Sequence, residues 1–175
     1  MSKDDEAAAT PAIAPGDPLP PWCIRVWDGL AARAASGTLP HASLVCGPAG
    51  LGKRALVDAF VRARLCNAPR ECRACGSCRA CKLLAAGTHP DRMLVTLEPN
   101  PKTRVMRREI VVDQIRGLSA HLAMASQLGG WQVAVIDPAD EMNPASQNAL
   151  LKTLEEPSAA SLIVLVAGQS SRSQP

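Results

Sequence analysis

The chain has 175 residues, 47% of them hydrophobic, with a formal net charge of +3. That suffices for one domain with a real core, and the mild charge excludes a strongly acidic or basic chain. No run approaches the roughly 20 apolar residues of a membrane span, and the N-terminus lacks a signal peptide's basic start and apolar stretch, so a cytoplasmic, non-membrane protein is expected.

Three Trp, one Phe and no Tyr leave the core to Leu, Val, Ile and Ala. Met1 to about Pro20 is acidic, then rich in Ala and Pro, and reads as a disordered tail. Residues 21–175 read as the folded part. Trp22 to Ala35 has Trp27, Leu30, Ala31 and Ala34 at helical spacing, and Gly37 and Pro40 end the helix. His41 to Cys46 is a short apolar strand. It runs into Gly47-Pro48-Ala49-Gly50-Leu51-Gly52-Lys53-Arg54, which is followed by a helical pattern from Ala55 to Leu65. A short helix is expected around Lys82 to Ala86, and a second strand over Met93 to Leu97. Pro99 to Arg108 reads as a polar, basic connector, and Ile110 to Val112 as a short extended run. Asp113 is a candidate cap for a helix running to about Gln127. Trp131 to Ile136 is a third strand, ending at Asp137. Asn143 followed by Pro144 signals a helix start, Glu155-Glu156-Pro157 its end, and Leu162 to Ala167 a further strand. Short, continuous apolar strands alternating with helices predict an α/β fold, a parallel sheet covered on both faces.

The glycine-rich loop has the form of a phosphate-binding turn between a strand and a helix. Gly47, Gly50 and Gly52 allow tight turns that aim N–H groups at an anion, and Lys53 would reach phosphate oxygens. The next position needs a hydroxyl for Mg²⁺, and Arg54 stands there instead. Asp137 ends a buried strand, where such sites place a second magnesium ligand. The residue after it, where hydrolysing relatives carry a water-orienting glutamate, is Pro138. Two defects in one mechanism argue against ATP turnover with Mg²⁺, and leave Lys53 able to hold a phosphate-bearing ligand. The basic residues between Arg54 and Arg108 suit an acidic or nucleic-acid partner, or a plain solvated face.

Seven cysteines occur: Cys23, Cys46, Cys66, Cys72, Cys75, Cys78 and Cys81. The odd number and the expected compartment argue against a disulfide framework. Cys75-x2-Cys78-x2-Cys81 brings three thiolates together, and a fourth would complete a structural, tetrahedral zinc site. Cys66 and Cys72 are the candidates. Cys66 is preferred, because it would join the two flanking helices whereas Cys72 would cramp the chain. Cys23 and Cys46 read as small hydrophobes.

Cys66-x8-Cys75-x2-Cys78-x2-Cys81, Gly87-Thr88-His89-Pro90-Asp91 and the run from Asn148 to Pro157 (NALLKTLEEP) together resemble the bacterial clamp-loader AAA+ subunits of DNA polymerase III. The resemblance spans roughly Trp22 to Ala167. It implies a P-loop NTPase (AAA+) three-layer fold with Cys66, Cys75, Cys78 and Cys81 as zinc ligands in an inserted module at about 66–81. It implies membership of a hetero-pentameric ring with gamma/tau and delta subunits, which places the sliding clamp on primed DNA during replication. In that family the gamma and tau subunits keep GK[ST] and an Asp-Glu pair, and the delta-prime branch has a degenerate site. Arg54 and Pro138 match the degenerate branch, with a stator role inside a nucleotidyltransferase complex. An active gamma/tau-like ATPase and a zinc-ribbon nucleic-acid binder are the alternative readings. Ser171-Arg172-Ser173 departs from the family's Ser-Arg-Cys finger, so that role is not carried to Arg172. Gly168 replaces the polar γ-phosphate sensor. The resemblance also implies a further sheet strand beside the loop strand, a lid and a collar beyond Pro175, so the domain is expected to be partial, with the loop strand at a sheet edge.

Overall fold

The computed structural model describes residues 18–156, 158 and 160–168. Most of the expected tail, the end of the Glu155–Pro157 signal and Ser171 to Pro175 lie outside those residues. Leu19, inside the stretch expected as tail, is 5% exposed and packs in the core, so the folded part starts before residue 21.

The elements are α1 (Pro21–Ala35), β1 (Ala42–Cys46), α2 (Lys53–Leu65), α3 (Arg79–Ala85), β2 (Arg92–Val95), α4 (Val112–Ala123), β3 (Gln132–Ile136), a 3₁₀ turn (Ala139–Glu141), α5 (Pro144–Glu155) and β4 (Ser161–Ala167). The four strands form one parallel sheet in the order β1-β4-β3-β2. Parallel neighbours require crossovers, and the helices supply them.

Side chains alternate across each strand, and that alternation divides the core in two. Val133 and Val135 of β3 and Leu162, Val164 and Val166 of β4 pack under Trp27 of α1 and Phe60 and Val61 of α2. Ala134, Ile136 and Ile163 face the other way, onto Ile115 and Leu118 of α4 and Leu150 of α5. The result is helix, sheet, helix. Trp27 and Phe60 meet edge to face at 6.4 Å between centroids, the arrangement that the ring quadrupoles favour.

Coverage of both faces holds for the two central strands. Among the described residues β1 pairs only with β4, and Leu44 is 60% exposed, so β1 is an edge. β2 forms the opposite edge, with Leu94 exposed.

The structure corrects the bounds of two expected helices and one cap, and adds detail to the connector. The short helix starts at Arg79 rather than Lys82, because the Cys78 sulfur caps it by accepting the Cys81 N–H at 3.4 Å. The connector 99–108 folds back on itself: Pro99 bridges Met106, and the Asn100 N–H donates to the Val105 carbonyl. Asp113 is not the cap of α4; it sits in the first turn and pairs with Arg116 at the surface. The Val111 N–H is instead taken by the Gln114 side chain at 3.1 Å. That helix also stops at Ala123, short of Gln127. Beyond it, the backbone N–H groups of Gln127 and Leu128 point at the buried carboxylate of Asp91, at 2.7 and 2.9 Å. A carboxylate collects these donors more strongly than a fraying helix end would. Asn143 does cap α5, accepting the Ser146 N–H at 2.9 Å, with Pro144 in the first turn.

Candidate functional site

β1 delivers the chain into the glycine loop, and α2 leaves it. Gly52 has φ 75° and stands as the residue before α2. A side chain there would be strained by that φ and would sit 3.2 Å from Pro20 Cγ, so the close approach of the N-terminal segment also requires glycine. Gly47 and Gly50 also have positive φ. The Trp22 indole N–H donates to the Leu51 carbonyl at 2.9 Å and ties the loop to α1. Lys53 is folded back: its Nζ donates to the carbonyls of Gly47 and Pro48, at 2.5 and 2.7 Å.

Arg54 lies in the first turn of α2, and Asp137 at the end of β3. The structure joins them. Arg54 Nε donates to Asp137 Oδ2 at 2.6 Å and Nη2 donates to Oδ1 at 3.2 Å. This is a two-pronged guanidinium–carboxylate pair. The hydrogen bond to Asp137 raises the Arg54 pKa, with burial opposing it and charge attraction helping. Arg54 is more than half exposed, so the pair adds on the order of 1 kcal/mol at most to stability. Its chemical effect is larger. The residue in the hydroxyl position and the strand-end acid, which together would hold Mg²⁺, hold each other.

A cleft of about 470 Å³ surrounds the pair, lined by Gly50, Gly52, Lys53, Asp137, Asp140 and Glu141 among others. Asp140 reaches the end of β4, where its Oδ2 accepts the Gly168 N–H at 3.0 Å. A Cβ on residue 168 would stand 2.9 Å from that oxygen. The space where a polar side chain would begin is therefore taken by an acid. The sequence shows Arg54 and Gly168 as separate departures, with Asp137 a retained acid, and assigns Asp140 no place. The one available signal was that a cation and an acid had been put at the two ends of a metal site.

The cysteine module hangs between α2 and β2. The sulfurs of Cys66, Cys75, Cys78 and Cys81 all lie within 4.8 Å of one another. Cys66 and Cys78 are 3.9 Å apart, and Cys75 and Cys81 4.0 Å. Four sulfurs at about 2.3 Å from a tetrahedral metal are about 3.8 Å apart, so the donor set fits such an ion and leaves no coordination position open. Cys66 follows the last residue of α2 and Cys78 precedes the first of α3, so the cluster fastens two helix ends together. Cys72 is exposed on the turn between Arg70 and Arg73 and lies outside the cluster.

Backbone donors prepare the sulfurs. The Cys75 N–H donates to Cys66 Sγ at 3.3 Å. The N–H groups of Cys78 and Ser77, with Cys66, lower the Cys75 pKa to about 6. Burial and the neighbouring Cys78 push Cys81 up to about 12. Metal binding needs deprotonated thiols, so the donors around Cys75 favour it, and burial of Cys81 works against it until a cation is bound. The module is also held from outside: the Arg73 guanidinium lies 5.4 Å from the Trp27 ring centroid.

A parallel α/β sheet with a glycine loop after β1, an acid after β3 and an inserted four-cysteine module defines a domain of the P-loop NTPase type. Residues 24–174 match the family model described as DNA polymerase III, delta subunit, and the chain belongs to that family. It is 44% identical over 155 residues to the DNA polymerase III subunit delta' of Pseudomonas aeruginosa, covering 89% of this chain and 44% of that protein. It is 36% identical over 152 residues to the Escherichia coli protein of the same description, covering 87% of this chain and again 44% of the relative. The chain thus spans less than half the length of these relatives. A DNA polymerase III gamma subunit-related protein from Thermotoga maritima shares the fold, with TM-score 0.55 and 19% identity, over 81% of this chain and 39% of that one. No helix among the described residues is long and apolar enough to cross a membrane.

Proposed function

We propose that this chain is the AAA+ portion of a clamp-loader subunit of the delta-prime kind, acting in DNA replication as a structural member of the ring and not as an ATPase. Its partners would be the gamma/tau and delta subunits, and through them the sliding clamp and primed DNA. The observation that carries the non-hydrolysing part is the Arg54–Asp137 pair, with contacts of 2.6 and 3.2 Å. A guanidinium on the strand-end acid competes directly with Mg²⁺, and a magnesium-free site cannot neutralise charge developing on a transferred phosphoryl group. The residues at fault are those the sequence singled out, Arg54 in the hydroxyl position and Pro138 in place of glutamate, with Asp137 a retained acid that Arg54 occupies. Gly47, Gly50, Gly52 and Lys53 keep the turn, with Lys53 bonded to the loop itself.

The four cysteines take structural zinc in this reading, since thiolates at this spacing suit that ion and no ligand position remains for water. The zinc would hold the ends of α2 and α3 in register. A cytoplasmic location follows from the same reading.

The test is ATP turnover by the zinc-loaded chain, alone and mixed with gamma/tau and delta subunits. The expected result is no Mg²⁺-dependent hydrolysis by this chain, together with stable co-elution with the other subunits. Magnesium-dependent turnover abolished by Lys53→Ala would refute the structural role. Failure to co-elute would refute ring membership.

A further inference from the structure

A second cavity, sharing no lining residue with the glycine-loop cleft, opens beside the cysteine module, with Cys66 in its wall. It measures about 360 Å³ and is lined by Arg64, Asn67, His89, Leu128, Gly130 and Trp131, among others. Arg64, near the end of α2, lies with its guanidinium carbon 4.3 Å from the Trp131 ring centroid. Stacking holds the guanidinium flat and leaves its N–H edges to bond in their own plane. Among the described residues no carboxylate comes within ion-pair distance of Arg64. The nearby acid on the same helix, Asp58, is already shared by Arg62 and Arg92. Arg64 Nε is buried and has no hydrogen-bond partner among those residues.

His89 is 5% exposed. Its Nδ1 accepts the Asp91 N–H at 3.1 Å, which puts the ring proton on Nε2. That Nε2 is also buried without a partner among the described residues. One cavity is thus walled by two residues that each carry a buried donor without an acceptor among the described residues, and one of them carries a charge with no carboxylate partner there. Each buried donor left unmade is costly. Water would satisfy the donors but not the charge, whereas an oxyanion answers both.

We propose that this cavity is a binding site for a small oxyanion, a phosphate or carboxylate group, held by the Arg64 fork and the His89 Nε2–H. The volume, at the small end of ligand pockets, admits such a group together with water. Asn67 leads into the cysteine module and Gly130 into β3, so occupancy would join the two across the cavity.

The experiment is a titration of the isotope-labelled, zinc-loaded chain with inorganic phosphate and, separately, with acetate, at ionic strength held constant with chloride. The signals followed are the Arg64 Nε–H and the His89 ring, with the Gly50 and Gly52 amides reporting the other anion-attracting part of the fold. The expected result is a saturable shift at Arg64 and His89 with at least one of the two anions. Which anion saturates identifies the chemistry. Arg64→Met is expected to weaken it about tenfold or more, and Arg64→Lys, which keeps charge without the fork, to weaken it less. If Arg64→Met fails to fold, the site-resolved shifts in the unaltered chain decide. Shifts that chloride alone reproduces, saturation only at Gly50 and Gly52, or saturation undiminished in a folded Arg64→Met chain would each overturn the proposal.

Discussion

Asp91 offers the sharpest test of the packing argument. It is 1% exposed, and its two oxygens accept the N–H groups of Gln127 and Leu128 at 2.7 and 2.9 Å. Those bonds fix the segment that leads from α4 into β3. Hydrogen bonds to a charged group contribute about 1.5–3 kcal/mol each. Asp91→Ala removes both and leaves two buried donors, so a loss of about 3–6 kcal/mol is expected. At a domain of this size that corresponds to a fall in Tm of roughly 6–24 °C. Asp91→Asn keeps one acceptor oxygen and should cost about half as much. Burial by itself would raise the Asp91 pKa, but the N–H groups of Gln127 and Leu128 outweigh it and hold the carboxyl below its ordinary value. A pKa lower in the folded than in the unfolded chain gives stability that is complete above the unfolded value of about 3.9 and lost as pH falls through the folded one. The gap between the native chain and Asp91→Asn should therefore be constant from pH 7 to about 5 and shrink below about 4. Urea denaturation followed by circular dichroism at several pH values measures this. Hydrogen exchange should show faster exchange at Gln127 and Leu128. A loss below about 1 kcal/mol for Asp91→Ala, the size of an ordinary surface change, would refute the reasoning.

Three further outcomes are expected. Cobalt(II) should bind the chain with thiolate charge-transfer absorption and tetrahedral d–d bands; Cys75→Ser should change both, Cys72→Ser neither, and chelation should lower the melting temperature. Arg54→Thr frees Asp137 and supplies a hydroxyl, so Mn²⁺ binding, read by electron paramagnetic resonance, should strengthen about tenfold, while ATP turnover stays absent because Pro138 orients no water. Leu162 of β4 is fully buried, and Leu162→Ala should cost about 2–5 kcal/mol in denaturant titration, with no change in the cobalt spectrum.

The sequence by itself determined what depends on neighbours along the chain. The glycine loop, the Asn143-Pro144 helix start and the apolar runs of β3 and β4 could be read directly, because turn chemistry, capping and side-chain alternation act over a few residues. The cysteine spacing was equally legible, since three of the four sulfurs share one short turn. What the sequence left open are partnerships across distance. Arg54 and Asp137 stand 83 positions apart, and only the parallel order of β1, β4 and β3 brings the start of α2 over the end of β3. Cys72 is nearer to Cys75 in sequence than Cys66 is, yet the helix end carries Cys66 into the cluster and the turn at 70–73 carries Cys72 away. Asp91 stops α4 early because a buried carboxylate 36 positions away from Gln127 takes that backbone's donors. Local preferences fix the elements, and the topology of the sheet decides which charged and polar groups meet. In this chain those meetings turn a nucleotide loop into an internally paired one.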